Sequence, residues 1–266
     1  LQGLSVGGQL VSSLVFTLES KPKAKWGLYG SFVMAAANFG TLLGGLFSFF
    51  MRCILSDEQM MTWGWRIPFL VGIFVVLSGL YLKYYVDDEN HLEDEKAPPI
   101  NPLMTAFSKG NRSSLLAASM VPMLWSGGFY LSFVWMAIYM NKLIEPPVPY
   151  AFAVNSTSLL LSVCLFFPVA GILSDRFGRR TIMGLGGVCM AILSPLMLIE
   201  IGNGKPGVAI VAQCIMWVSL SFWGGPMTAW LVEAFSPEAR LTSVGLGYNL
   251  SQALAGGFTP AIATAL

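Results

Sequence analysis

Between two long runs almost free of charge lies Gly171-Ile172-Leu173-Ser174-Asp175-Arg176-Phe177-Gly178-Arg179-Arg180, in which four of ten residues are charged. Such a cluster cannot reside in hydrocarbon, whereas the runs on either side are apolar and long enough to cross it. It therefore marks a short loop between two membrane spans. Its three arginines also set the side of the membrane, because short cytoplasmic loops collect Lys and Arg.

The remainder of the chain agrees. Of 266 residues, 55% are hydrophobic and only 11% are charged, against about 25% charged in a soluble domain. In lipid only helices and closed barrels satisfy their own backbone. A barrel strand alternates polar and apolar residues with period two, and this chain instead shows unbroken apolar runs. The predicted fold class is all-α, a polytopic transmembrane helical bundle. A net charge of +1 without a basic, aromatic-interleaved stretch excludes a nucleic-acid partner. Cys53, Cys164, Cys189 and Cys214 are far apart and show no metal-ligand spacing. They read as small apolar packing residues. No nucleophile–base set, phosphate loop or metal cluster supports an enzyme, so neither a catalytic residue nor a cofactor is expected.

A span needs about 20 apolar residues. Eight are predicted, at 2–19, 27–51, 65–86, 114–141, 150–173, 181–201, 207–233 and 242–266. With the Arg176 loop in the cytosol, that side receives Lys21, Lys23, Lys25, Lys83, Lys96, Lys109, Arg112, Arg176, Arg179, Arg180 and Arg240. The other side receives only Arg52, Arg66, Lys142 and Lys205, as the positive-inside bias requires. Residues 87–112 open with Asp87, Asp88, Glu89, Glu93, Asp94 and Glu95, followed by Pro98 and Pro99. This reads as a cytosolic linker, too charged to pack, with His91 solvated inside it. Within it, Asn101 and Pro102 announce a short amphipathic helix over 101–107. The linker divides the chain into a three-span bundle at 1–86 and a five-span bundle at 113–266. Leu1 already lies in a span, which reads as the start of a fragment and not as a signal peptide.

Glycine and proline are frequent within the spans. Gly40 and Gly44 read as close helix packing. Gly127-Gly128 and Gly224-Gly225-Pro226 read as a hinge or cavity lining, because each adjoins aromatic or polar groups at mid-depth.

The decapeptide matches G-x-x-x-D-R-x-G-R-R from Gly171 through Arg180. It resembles the cytoplasmic loop motif of the major facilitator superfamily, which occurs after the second and eighth of twelve spans. Five predicted spans lead up to this copy, the last of them running into it, and the linker lies two spans upstream, so the resemblance implies the eighth. The chain then runs from the fourth span into the eleventh and is incomplete at both ends. Trp63-Gly64-Trp65-Arg66-Ile67-Pro68-Phe69 resembles the start of the sixth span in the metabolite:proton symporter group, which holds proline/betaine, α-ketoglutarate and shikimate carriers. Leu246-Gly247-Tyr248-Asn249-Leu250 with Gly256-Gly257-Phe258-Thr259-Pro260 resembles their eleventh span, and Gln2 through Gln9 with Glu19 their fourth. Two departures stand out. The fourth span usually reads Gly-Gly-Glu, and here it is Gly7-Gly8-Gln9. The following loop, usually Lys-Arg-Gly, is Lys25-Trp26-Gly27.

The resemblance implies secondary transport of a small organic metabolite, an organic acid or zwitterionic osmolyte. Protons are the implied coupling ion, and a plasma-membrane location is expected. An uncoupled facilitator and a non-transporting receptor of the same fold remain open, since Gln9 cannot titrate. Gly171, Asp175, Arg176, Gly178, Arg179 and Arg180 are the expected gating latch, with Glu233, Arg240 and Glu19 completing an ion-pair cluster. Asp175 is expected to face a helix N-terminus, with the helix starting near Leu241 as the natural candidate. Gln9 falls ten residues before Glu19, about 15 Å along the helix and near the midplane. Such a polar group either lines a wet cavity or bonds another helix. Tyr130, Trp125, Asn155, Gln213, Asn249 and Gln252 join it as candidate substrate contacts, with Tyr130 and Gln252 best placed in depth. Trp125 and Trp223 have the faces to stack on a cationic or zwitterionic ligand.

Overall fold

A computed structural model describes residues 8–73, 77, 79–81, 84 and 101–265. Among the described residues every regular element is helical. The helices are α1 (Gln9–Glu19), α2 (Trp26–Ile54), α3 (Asp57–Thr62), α4 (Ile67–Val71) and α5 (Pro102–Ala106). Then follow α6 (Arg112–Leu143), α7 (Ala151–Phe177), α8 (Arg179–Ile201), α9 (Pro206–Glu233), α10 (Pro237–Ser251) and α11 (Gly257–Ala265). Of these, α2, α6, α7, α8 and α9 are long and apolar enough to cross a membrane. They coincide with the expected spans at 27–51, 114–141, 150–173, 181–201 and 207–233.

The other three expected spans fare differently. Span 2–19 is described only from Gly8, and 65–86 only in part. Span 242–266 is helical from Pro237 to Ala265, through a π-helical stretch at Gln252–Gly256. Ser243, Tyr248, Asn249, Ser251 and Gln252 make it less apolar than the five. The acidic part of the linker and His91 lie outside the described residues. Its amphipathic helix is present: the Asn101 side chain accepts from Leu103 N at 3.0 Å, and Pro102 takes the first position.

Breaks fall where backbone chemistry places them. Gly178 at φ 90 separates α7 from α8, and Gly204 at φ 70 separates α8 from α9, a region that glycine enters without a Cβ penalty. Pro206 and Pro237 open α9 and α10, where the missing N–H costs nothing.

Contacts divide the chain into two compact units, Leu1–Phe39 with Asn101–Leu266, and Gly40–Ile100. In the first, α9 is the centre: half of its apolar window is buried, against 28% for α8. Small residues let helices touch. A Cβ on Gly186 of α8 would sit 2.7 Å from Trp223 N and 2.8 Å from Ser219 O of α9. On Gly247 of α10 it would sit 2.7 Å from the Ala118 backbone of α6. Without a hydrophobic drive between helices in lipid, such approach is what associates them. An apolar cluster of Met136, Met140, Val154, Ile201, Ala209 and Met216 closes the end remote from Asp175. Phe16, Ile199 and Val211 stand exposed on the outer surface, as lipid-facing side chains do. In the second unit, Ser56 and Gln59 cap α3 reciprocally, and the Arg66 guanidinium lies 4.5 Å over the Trp65 ring.

The glycine expectations are reversed. Cβ atoms on Gly40, Gly44 and Gly45 would meet nothing within 4 Å among the described residues. A Cβ on Gly224 would instead lie 2.4 Å from the Trp125 ring, and one on Gly128 2.7 Å from Leu220. Helix α9 runs unbroken through Gly224-Gly225-Pro226, so these are packing glycines and not a hinge.

Candidate functional site

The charged loop binds a helix start. The Asp175 carboxylate accepts from Gly27 N through Oδ1 and from Leu28 N through Oδ2, both at 2.9 Å. These amides belong to the first turn of α2, whose opening N–H groups have no partner inside their own helix. A carboxylate there satisfies two of them and meets the positive end of the helix dipole. The expectation of a helix N-terminus opposite Asp175 holds, and the helix named for it does not. The partner is α2, because Gly27 permits an approach that no other residue could. A Cβ on Gly27 would lie 2.3 Å from Ser174 Oγ and 2.7 Å from Gly171 O. A Cβ on Gly171 would lie 2.6 Å from Gly27 O and 2.4 Å from Ser31 Oγ.

Arg179, four residues beyond Asp175, holds the carboxylate from the other side. Its guanidinium bonds Asp175 Oδ1, donates to Ser174 Oγ at 3.0 Å and reaches Glu233 at the end of α9 at 3.2 Å. Arg240 is buried and makes a second node. It donates to Val232 O in the last turn of α9 at 2.9 Å and to Phe235 O, just beyond that helix, at 3.2 Å. Its remaining nitrogen pairs with Glu19 at the end of α1. Its face lies 5.6 Å from the Trp26 ring, and the Trp26 indole donates to Lys21 O at 2.9 Å. Thus Gly171, Asp175, Arg179, Glu233, Arg240 and Glu19 meet at one end of the unit. Arg176, Gly178 and Arg180 are exposed. Arg179, Arg180 and Glu233 line an open cavity of about 660 Å³ with Ser113, Ser114 and Thr181. In the sequence Trp26 and Gly27 figure only as a departure in the loop, and neither they nor Leu28 are named as site residues. The signal for them was a glycine at the start of a span on the same membrane side as Asp175.

In the interior, Trp125, Tyr130 and Gln252 come together with Tyr248, which sequence reasoning did not single out. Gln252 Nε2 donates to the Tyr248 hydroxyl at 2.6 Å, and its Oε1 is buried without a partner among the described residues. Phe129 joins the Trp125 and Tyr130 rings, with centroids at 5.7 and 5.6 Å. A Cβ on Gly256 would touch the Tyr130 ring at 2.7 Å and Gln252 Oε1 at 3.2 Å. Both sides carry π-helical turns, at Tyr130–Trp135 and Gln252–Gly256, which recur at functional sites because they re-aim side chains. Asn155 and Gln213 stand elsewhere and bond each other at 2.7 Å. Asn249 donates to Gly245 O of its own helix at 2.8 Å, and Trp223 donates to Val121 O at 3.1 Å. Gln9 is exposed at the start of α1.

The family model described as Major Facilitator Superfamily matches residues 1–260. The Citrate-proton symporter of Klebsiella pneumoniae is 27% identical over 100% of this chain and 60% of its own length. The Inner membrane metabolite transport protein YhjE of Escherichia coli is 30% identical over 98% of this chain and 61% of its own length. The Shikimate transporter of Escherichia coli is 29% identical over 100% and 62%. The chain thus spans about 60% of the length of these curated relatives. Among solved structures, the proton:xylose symporter XylE superposes with a TM-score of 0.70, covering 93% of this chain and 58% of XylE at 19% identity. That likeness establishes the fold.

Proposed function

Because this chain belongs to the major facilitator superfamily, we propose that it forms part of a secondary transporter for a small organic metabolite, working by alternating access. The observation that carries the reading is the Asp175 carboxylate bonded to Gly27 N and Leu28 N. A charge-assisted bond between a loop and a helix start is strong when closed and is lost as a unit when the elements part. That is the behaviour a two-position gate needs. In this reading the latch holds the cytosolic side shut, with Arg179–Glu233 and Arg240–Glu19 beside it. The substrate sits between two bundles, with the linker 87–112 in the cytosol of a plasma-membrane protein, against Trp125, Tyr130, Tyr248 and Gln252. Gln9 contributes from the fourth span. Named relatives include a citrate-proton symporter, a shikimate transporter and a proline/betaine transporter, which supports an organic acid or a zwitterionic osmolyte as substrate, with protons as coupling ion.

A second reading, an uncoupled facilitator, is favoured by one observation. Among the described residues every carboxylate stands at or near a helix end or in a loop, and the usual glutamate of the fourth span is Gln9. Uptake of labelled organic acids and zwitterionic osmolytes into proteoliposomes tests both. Accumulation driven by an imposed proton gradient supports symport. Equilibration indifferent to the gradient supports the facilitator. Binding without any flux would overturn transport.

A further inference from the structure

Where α6, α7 and α9 meet, three side-chain atoms are cut off from solvent and have no hydrogen-bond partner among the described residues: Ser132 Oγ, Gln213 Oε1 and Trp217 Nε1. All three residues are fully buried. Their neighbours fix which atom points where. Asn155 Nδ2 donates to Phe133 O at 3.0 Å. A carbonyl cannot donate, so the Asn155 amide cannot be reversed, and its Oδ1 takes the proton of Gln213 Nε2 at 2.7 Å. The same Nε2 faces Ser132 O at 3.3 Å, which fixes Gln213 in turn. Gln213 Oε1 is left a bare acceptor. Trp217 lies one turn further along α9, and its indole N–H can only donate. The Phe129 and Phe133 rings, 6.2 and 6.5 Å from it, close the surroundings with apolar surface. Ser132 Oγ can give or take.

We propose that a water molecule is bound here as a built-in part of the bundle, accepting from Trp217 Nε1 and donating to Gln213 Oε1 and Ser132 Oγ. The mixture of groups selects this ligand. A cation takes acceptors only and is repelled by the indole N–H. An anion finds a donor but faces the Gln213 oxygen. Water does both, and about three partners is its usual number in a protein interior. Unpaired polar atoms at this depth are costly, so the site is filled whenever the bundle is folded. It continues a polar seam in which Ser162 and Ser221, further along α7 and α9, bond at 2.9 Å. The seam needs no substrate and stands independently of the transport reading.

Ultraviolet resonance Raman difference spectra of the intact protein, wild type minus Trp217→Phe, isolate this indole. The expected band is that of a hydrogen-bonded N–H, moving toward the free position in both Ser132→Ala and Gln213→Met. A free N–H in the wild type overturns the proposal. A bonded band that ignores either substitution also overturns it, because Trp217 then bonds the other side chain directly. Should Gln213→Met fail to fold, Gln213→Asn withdraws the oxygen by one carbon and serves the same comparison.

Discussion

At the scale of single residues, Asp175 carries the latch through charge and not through shape. Asp175→Asn keeps the size of the group, but its amide nitrogen cannot accept from Leu28 N, and it no longer neutralises Arg179. A carboxylate at a partly buried helix start is worth about 1–2 kcal/mol, a factor of roughly 5–30 in a two-state ratio. Asp175→Asn should therefore insert normally and lose most transport, read as uptake per inserted protein; wild-type rates would leave only an anchoring loop. Gln9 makes a separate prediction. A carboxyl at this position can take up and release a proton, which the Gln9 amide cannot. Gln9→Glu should make uptake fall more steeply as pH rises, while Gln9→Leu should weaken substrate affinity. If both variants keep the parent's affinity and pH profile, Gln9 takes no part in transport. Sequence depth alone found Tyr130, Trp125 and Gln252. It ranked Tyr130 and Gln252 first but could not show that Asn155 and Gln213 bond each other.

Elements meet where they can come close, and the decisive pair is Gly27 on α2 with Gly171 on α7. Gly171→Ala would drive a methyl into the Gly27 carbonyl at 2.6 Å, so the helices must part and the Asp175 bonds with them. Overpacking of this kind costs about 1–3 kcal/mol. Gly44→Ala is the control, since its Cβ meets nothing within 4 Å and alanine is the better helix former. In detergent, Gly171→Ala should lower the melting temperature by several degrees and reduce uptake, while Gly44→Ala should leave both unchanged. Equal melting curves would mean that the close approach is not maintained in solution. Which glycines are packing glycines was unreadable in the sequence, because Gly40 and Gly224 look alike until a neighbour is supplied.

For the whole molecule, the proposed orientation rests on eleven of the 15 basic residues falling on one side when the expected spans alternate. In a background freed of Cys53, Cys164, Cys189 and Cys214, an Asn90→Cys variant should react with a charged maleimide only after permeabilisation. Labelling of intact cells would reverse the orientation and remove the latch from the cytosolic side. The sequence by itself determined the helical class, five spans and the charged loop between two of them, because hydrocarbon tolerates neither unpaired backbone nor unpaired charge, and both constraints are local. It did not determine that Asp175 caps α2 instead of the helix near Leu241, that Arg240 pairs with Glu19, or that Tyr248 joins Gln252. Each of those contacts links residues on different helices or on the same face one turn apart. Which face turns inward, and which glycine admits the neighbour, is settled only when the helices pack.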